Sequence, residues 1–230
     1  MFEAFQTVPY LVQISYIGVE GLFFSYYTHN DEALAMYSNS SSSSWGAFNK
    51  IYTQPVNRET GEVHGEATNI VSNPFMNASW IGEALNVTSG FSSLGTKWDN
   101  GDLLFLTSAG IMTRGVISLG FSATPITDFV TRIDQQHGTT SYLATKDEKI
   151  VVEGIQLTHF LISNDTVSFQ SVDANGDPTS NEGTVSCKDG AVASFFNIRD
   201  TAYSIHCYTI DIMGIESVRF YICTSLLNHI

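Results

Sequence analysis

Several residue types in this chain could catalyse a reaction or hold a metal ion, but their spacing does not favour either. Six histidines occur, at positions 29, 64, 137, 159, 206 and 229, without the HExxH spacing that places two ring nitrogens on one metal. The sequence contains no GxSxG, GxGxxG or phosphate-binding P-loop, and no carboxylate pair is spaced to share a helical face. We therefore predict no catalytic residue, no metal site and no cofactor in this chain.

Aromatic and hydroxyl side chains in the first half of the chain favour noncovalent recognition instead. A small-molecule pocket needs apolar walls and a few convergent polar groups. We predict that such a pocket is lined by Tyr52, Gln54, Trp80, Ser92 and Ser108. Serines on strands, including Ser93 and Ser118, could point into a cavity or cover a solvent-exposed face. The alternative for the aromatic residues is ordinary packing.

Three cysteines allow at most one bridge within the chain. Cys187 lies in a loop rich in Gly and Asp, and Cys207 lies in a strand-like run. We favour a Cys187–Cys207 disulfide with Cys223 as a buried free thiol, and the alternative is three unpaired cysteines. No CxxC pair is present, which disfavours a zinc or thioredoxin-like site.

Composition narrows the class of protein. Apolar residues make up 43% of the 230 residues, which is enough for a core, and the net charge of −13 argues against nucleic acid and anionic membrane surfaces as partners. No run of 18 apolar residues is present, and the first ten residues do not read as a signal peptide. Candidate N-glycosylation sequons occur at Asn39, Asn77, Asn86 and Asn164. Together with a hydroxyl-rich surface, they are compatible with an extracytoplasmic protein.

The elements that must position these residues are mostly strands. Alternating apolar segments predict strands at Leu11–Ile17, Leu22–Tyr27, Ile51–Val56, Leu103–Ala109, Val116–Phe121, Ser141–Thr145, Lys149–Val152, Val167–Val172, Ser194–Ile198, Ala202–Ile212 and Ser217–Cys223. A short helix is predicted over Ala78–Leu85, and loops over Ser38–Ser44 and Asp173–Gly190. A strand–turn–strand opening occurs twice, at Leu11–Tyr27 and Ser141–Val152. We predict an α+β protein of two similar modules.

The segment Gly115–Ile133 lies between these modules. A strand over Val116–Phe121 is followed by Thr124 as a helix N-cap and Pro125 in the first helical turn. Apolar residues at i, i+3, i+4 and i+7 then form one stripe of a helix over Pro125–Gln136. We predict a module over residues 1–123, a linking helix over 124–138 and a second module over 139–230.

Particular strings in the chain resemble a known family. WIGEALN (Trp80–Asn86) and GVISLGFSATPITDFV (Gly115–Val130) resemble the Cache pattern of extracellular sensors. Four further strings, YTQPVNRETGEVHGEA (Tyr52–Ala67), NASW (Asn77–Trp80), SLGT (Ser93–Thr96) and RGVISLGF (Arg114–Phe121), resemble the sensor regions of cytokinin-independent plant histidine kinases. The opening, Phe2–Tyr27, is similar to the same regions. YTQPVNRETG is the most specific of these strings.

The resemblance implies a double-Cache fold of two PAS-like modules, each an antiparallel sheet flanked by short helices. It implies a location on the extracytoplasmic side of the plasma membrane or in the endoplasmic reticulum lumen, with the membrane reached only through segments outside this chain. The first module would be membrane-distal and the second membrane-proximal. The full-length protein would be a hybrid histidine kinase feeding the cytokinin-pathway phosphorelay, while this chain would be non-catalytic.

Departures from the family pattern leave the ligand open. Amino-acid-binding Cache modules carry an Arg and a Trp–Tyr pair on the pocket strands, whereas this chain has Ile51–Tyr52 there and no preceding Arg. Two hypotheses follow: an unknown small molecule binds in the distal module, or the chain is a ligand-independent module that holds a homodimer or a heterodimer with related receptors. A third hypothesis is an unrelated secreted binding protein or enzyme.

Overall fold

The computed structural model describes residues 1–18, 22–38, 50–70, 79–86, 90–99, 101–111, 114–137, 139–145, 150–152, 158–163, 166–173, 175, 177–187, 194–198, 201–212 and 215–224. The chain divides into two compact units, Met1–Ala123 and Thr124–Ile230. None of the helices in the described ranges combines the length and the apolar character that a membrane crossing requires.

The first unit is built on one antiparallel sheet. Its elements are α1 (Phe2–Thr7), β1 (Leu11–Gly18), β2 (Phe23–His29), β3 (Glu32–Ser38), β4 (Ile51–Pro55), β5 (Thr68–Ile70), α2 (Ser79–Asn86), β6 (Phe91–Thr96), β7 (Leu103–Ile111) and β8 (Gly115–Ser122). The strand order is β5-β4-β3-β2-β1-β8-β7-β6. The first strand therefore lies inside the sheet, between β2 and β8.

Turn chemistry explains the tight connection between β2 and β3. Asn30 and Asp31 have φ angles of 46° and 64°, and His29 pairs with Glu32 across them. Two consecutive residues with positive φ form the turn type whose twist matches that of paired strands, and Asn and Asp tolerate this conformation. The chain therefore reverses in two residues, and β3 continues the sheet.

Both faces of this sheet carry an apolar cluster. One cluster consists of Ile17, Phe23, Tyr27, Met36, Ile51, Val116 and Ala84 of α2. The other consists of Leu11, Ile14, Ala33, Ala35, Val56 and Phe5 of α1. The period of two along each strand divides the sheet residues between the two faces. We call these the α2 face and the α1 face.

The turn after β4 anchors α1. The Asn57 side-chain oxygen accepts hydrogen bonds from the backbone N–H groups of Glu59 (2.8 Å) and Thr60 (3.1 Å). Gly61 then takes a φ of 77°, and its carbonyl accepts a 3.0 Å hydrogen bond from the Tyr26 hydroxyl. The Phe2 ring packs against Gly61 and lies 5.2 Å from the Tyr26 ring. Part of the string YTQPVNRETG thus has a packing role.

Substituting Gly61 with alanine should destabilise the first unit by about 2–3 kcal/mol. The left-handed conformation costs a residue with a Cβ about 1–2 kcal/mol, and the added Cβ would lie 2.5 Å from the Phe2 ring. Gly101 has the same φ of 77°, and Gly101→Ala is the control because a Cβ added there would have no described atom beyond its chain neighbours within 4 Å. The loss of stability in Gly101→Ala therefore measures the cost of the left-handed backbone conformation alone. Urea unfolding of both variants measures the difference, and equal losses would contradict a role for Phe2.

The second unit contains one helix and two antiparallel sheets in its described part. Its elements are α3 (Thr124–His137), β9 (Thr139–Thr145), β10 (Ile150–Val152), β11 (Thr158–Ser163), β12 (Thr166–Val172), β13 (Pro178–Ser186), β14 (Ser194–Ile198), β15 (Thr201–Ile212) and β16 (Ile215–Thr224). The larger sheet has the order β10-β9-β16-β15-β14, and the smaller has the order β11-β12-β13.

Asp134 joins α3 to the neighbouring strand. Its carboxylate accepts hydrogen bonds from the Thr139 hydroxyl (2.9 Å), the Ser141 hydroxyl (2.6 Å) and the Ser141 backbone N–H (2.6 Å). Ser141 and the four residues after it are buried along β9. One carboxylate therefore holds the last turn of α3 on the strand that follows it.

The expected loop over Asp173–Gly190 is wrong in its central part. Residues Pro178–Ser186 form β13, which pairs with β12 in a register that places Val167 opposite Val185. Both valines are buried. Pro178 is the first residue of the strand, a position that proline tolerates, and hydrogen bonds from β12 offset the weak strand propensity of Asn, Ser and Gly. The predicted loop at Ser38–Ser44 lies outside the described residues from position 39 onward.

Candidate functional site

Four buried serines cross the first unit on its α2 face. The strand register places Ser108 opposite Ser118, Ser118 opposite Ser15, and Ser15 opposite Ser25. None of the four is more than 2% exposed. Directly opposed residues of an antiparallel sheet point to the same face. These four residues, the serine row, therefore form a polar band on this face.

The hydroxyl groups of the serine row are hydrogen-bonded in pairs. The Ser108 hydroxyl donates to Ser118 Oγ over 2.8 Å, and the Ser15 and Ser25 hydroxyl oxygens lie 2.8 Å apart. Ser25 Oγ also donates to the Ile14 carbonyl over 3.1 Å. Pairing of this kind removes most of the free-energy cost of burying a hydroxyl group. It leaves lone pairs that can accept further donors.

Trp98 covers one end of the serine row. Its indole Nε1–H donates to Ser25 Oγ (3.0 Å) and Ser15 Oγ (3.3 Å). Its backbone N–H donates to the side-chain oxygen of buried Gln13 over 3.2 Å. The Phe23 ring meets the indole edge-on, with ring centroids 6.0 Å apart. The indole is thus recognised by acceptors on one side and by an aromatic ring on another.

A second pair of hydroxyls lies farther along the same face. The Tyr27 hydroxyl and Thr53 Oγ1 lie 3.0 Å apart. Burial raises the pKa of Tyr27 above its usual value, and the negative charge of Asp99 adds to this increase, whereas the Thr53 hydrogen bond opposes it. The phenol therefore stays protonated at physiological pH and remains able to donate a hydrogen bond.

The loop after β6 brings charged groups to this face. Asp99 Oδ2 lies 2.5 Å from His29 Nδ1 and 3.5 Å from Lys97 Nζ, and the Asp99 side chain is only 8% exposed. The other carboxylate oxygen, Oδ1, and the hydroxyl oxygen of Ser93 are buried without a hydrogen-bond partner in the described structure. Most buried polar atoms in native proteins have a hydrogen-bond partner, so these two oxygens have acceptor capacity that the described residues do not use.

The walls around these polar groups are apolar. Ile17, Phe23, Met36, Ile51 and Val116 surround the serine row, and Leu34 and Phe91 pack against them. A few hydrogen-bonding groups within apolar walls are typical of small-molecule sites. We call the serine row, Gln13, Tyr27 and Asp99 the serine face, and the Trp98 indole lies against it. In the described part of the chain, no group of three or more His, Cys, Asp or Glu residues could hold a metal ion.

The predicted lining residues do not come together. Ser108 belongs to the serine face, whereas Tyr52 and Gln54 lie on the α1 face. There the Tyr52 ring lies 6.0 Å from the Tyr37 ring, and Gln54 accepts a 2.6 Å hydrogen bond from the Tyr37 hydroxyl. Ser92 alternates with Phe91, which faces Ser108, and so also points to the α1 face.

Trp80 lies in α2, but its side chain is outside the described residues. The sequence prediction did not include Gln13, Ser15, Ser25 and Asp99, which belong to the candidate site. The available signal was serine or glutamine at every second position of apolar strands, as in Gln13, Ser15 and Ser25, together with Ser108 and Ser118.

Cys187 and Cys207 form a disulfide, with Cα atoms 4.6 Å apart. Cys223 lies in β16, and its side chain is outside the described residues. Of the four sequons, Asn86 is exposed at the end of α2. Asn39, Asn77 and Asn164 lie outside the described residues, and glycosylation stays a prediction.

Comparison with known proteins gives one match in sequence and several in fold. No protein-family model matches the chain. The chain is 33% identical over 174 residues to histidine kinase CKI1 of Arabidopsis thaliana, a match that spans 74% of this chain and 15% of that protein. The predicted resemblance to a plant histidine kinase is thus confirmed for that stretch, which is a small part of the kinase.

Comparison with solved structures finds proteins of chemotaxis. A methyl-accepting chemotaxis protein X matches with a TM-score of 0.50 and 10% identity, over 96% of this chain and 78% of that one. The ligand-binding domain of chemoreceptor Tlp3 of Campylobacter jejuni, solved with L-norvaline, has a TM-score of 0.48 and 8% identity, over 96% and 68%. The first match shows that a methyl-accepting chemotaxis protein has a similar, mostly antiparallel fold with few helices.

Proposed function

We propose that this chain is the extracytoplasmic sensor region of a plant hybrid histidine kinase of the cytokinin-pathway phosphorelay. In this proposal its two units are the membrane-distal and membrane-proximal modules of a double-Cache domain. Sequence similarity to a plant histidine kinase and fold similarity to a chemoreceptor support it. The Cys187–Cys207 disulfide also supports it, because disulfides persist mainly in oxidising compartments.

The serine face is the observation that carries the sensing function. It combines buried hydroxyls and a buried carboxylate with apolar walls, and within the described ranges Asp99 Oδ1 and the adjacent Ser93 Oγ have no hydrogen-bond partner. A sensor that binds a small polar molecule needs this combination, because hydrogen bonds give specificity and apolar contacts give affinity. We place the ligand there and not at Tyr52, Gln54 and Ser92.

Signal transfer in this proposal begins at β8. This strand carries Ser118 of the serine row, and only Ala123 separates its last residue from the first residue of α3. A ligand that binds one conformation of β8 better than another shifts the population of conformations by its difference in affinity. The shift reaches the kinase through Thr124–Ile230 and the segments beyond this chain.

A thermal-shift screen of small polar metabolites tests the sensing function. A ligand at 100 times its Kd stabilises the folded state by about 2.7 kcal/mol, which raises the Tm of a chain of this size by about 5–10 °C. We expect at least one saturable hit whose affinity falls about tenfold in Ser25→Ala. Ser92→Ala, a serine variant on the α1 face, should leave the hit unchanged.

Two other results of this screen would argue against a ligand at the serine face. A hit of equal affinity in the wild type and Ser25→Ala would place the ligand elsewhere. A screen without any hit would favour the second function, a ligand-independent module that holds a receptor dimer. One observation favours this alternative: Trp98 already donates to Ser15 and Ser25, so these hydroxyls have partners without a ligand.

A further inference from the structure

The Trp98 side chain contacts the serine face in the way that a bound ligand would. One N–H group is shared between two acceptor oxygens, Ser25 Oγ at 3.0 Å and Ser15 Oγ at 3.3 Å, and the ring lies edge-on to Phe23. A flat apolar ring with one polar donor is oriented by this pair of contacts. The serine face is therefore complementary to an indole.

The indole is carried by a loop and not by a strand. Trp98 lies between β6, which ends at Thr96, and β7, which begins at Leu103. Backbone hydrogen bonds from Lys97 N to the Asp102 carbonyl (2.8 Å) and from Gly101 N to the Lys97 carbonyl (3.3 Å) close the loop on itself. These two hydrogen bonds do not involve the Trp98 side chain.

Unused hydrogen-bonding capacity remains next to the indole. Asp99 follows Trp98 directly, and its buried Oδ1 has no hydrogen-bond partner among the described residues, while Oδ2 contacts His29 and Lys97. Ser93, on the strand that leads into the loop, also has a buried hydroxyl oxygen that no other described residue hydrogen-bonds. A molecule with more donors than the indole could satisfy groups that Trp98 leaves unpaired.

From these contacts we propose that Trp98 is an internal occupant of the ligand site. The site accepts a small planar aromatic ring with an N–H donor, and the described structure is the state in which the chain's own indole occupies it. The ligand's N–H takes the position of Trp98 Nε1 between Ser15 and Ser25. This inference rests on the proposed function, because it takes the serine face as the ligand site, and it adds the chemical class of the ligand.

Removing the internal indole and supplying it from solution tests this proposal. Trp98→Gly should lower the Tm by about 10 °C, since a large aromatic side chain is lost from a packed position. Indole at millimolar concentration should restore about half of this loss in a saturable way, with no comparable effect on the wild type. Benzothiophene, which has the shape of indole but no N–H, should restore less than half as much as indole.

Two outcomes would overturn the proposal. Equal rescue by indole and benzothiophene would show an apolar cavity without recognition of the N–H donor. Rescue that is unchanged when Ser15→Ala and Ser25→Ala are added to Trp98→Gly would show that other groups bind the indole. These results differ from failure of the proposed function, because a metabolite that depends on Ser25 could still bind when indole does not rescue Trp98→Gly.

A second measurement keeps the proposal testable if Trp98→Gly does not fold. The chain has three tryptophans, so its proton NMR spectrum should show three indole N–H signals. The signal that disappears in Trp98→Phe is assigned to Trp98. We expect this N–H to exchange with solvent about tenfold faster in the Ser15→Ala, Ser25→Ala double variant than in the wild type. An unchanged exchange rate would show that the two serines do not hold the indole.

Discussion

Replacing Gly115 with alanine is expected to lower the free energy of unfolding of the first unit by about 4 kcal/mol, among the larger effects of a single substitution. Gly115 opens β8 with a φ of 154°, opposite Gly18 at the end of β1. A Cβ at this position would overlap the Ile17 carbonyl oxygen and lie 2.8 Å from the Gly18 Cα. Both are backbone atoms, so relief requires β1 and β8 to separate.

Chemical denaturation followed by circular dichroism measures this effect. Gly82 offers a matched control, because it lies on an exposed part of α2 with nothing within 4 Å of an added Cβ. Gly82→Ala should raise stability by up to about 1 kcal/mol through helix propensity. If Gly115→Ala stayed within about 1 kcal/mol of the wild type, the close approach of β1 and β8 would be wrong.

Replacing Asp134 with alanine is expected to cost the second unit about 3 kcal/mol. The substitution removes three hydrogen bonds to a carboxylate and leaves the backbone N–H of Ser141, a residue 1% exposed, without its acceptor. Hydrogen bonds to charged groups contribute about 1.5–3 kcal/mol each, and an unsatisfied buried donor adds about 1–3 kcal/mol. The three bonds share one group, so their contributions do not add fully.

Hydrogen exchange localises this second effect. The Ser141 amide should lose protection in Asp134→Ala, whereas amides of β1 and β8 should keep theirs. Asp128→Ala, an exposed carboxylate on the same helix, should change stability by less than about 0.5 kcal/mol. Similar effects of the two variants would mean that only the charge of α3 matters, not the contact with β9.

Elements with strong local signals were predicted well. The helix expected over Pro125–Gln136 is observed as Thr124–His137, and the strand expected over Val116–Phe121 is observed as Gly115–Ser122. An apolar stripe, a capping residue and an alternating strand are properties of neighbouring residues, so the sequence displays them directly. The strand at Pro178–Ser186 has no such signal and depends on pairing with β12.

The candidate site was harder to predict, because its residues become neighbours only through the order and register of the paired strands. Ser15 lies beside Ser118 on the adjacent strand, although the two residues are far apart in the sequence. Alternation within one strand shows which residues share a face, but not which strand lies beside it or in what register. Tyr52 and Gln54 were chosen by residue type, and their one-residue offset from Ile51 and Thr53 places them on the other face.

The central position of β1 has a consequence for how the first unit forms during synthesis. β1 to β4 can pair one after another as consecutive hairpins, but the other edge of β1 remains open until β8 emerges, since Leu11 pairs with Phe121. Pairings between distant segments are slow to form, and an open strand edge is a template for aggregation. Any fragment that ends before Gly115 would lack β8 and leave this edge of β1 unpaired. We therefore expect the first unit to fold only as a whole, because its last strand lies in the interior of its sheet.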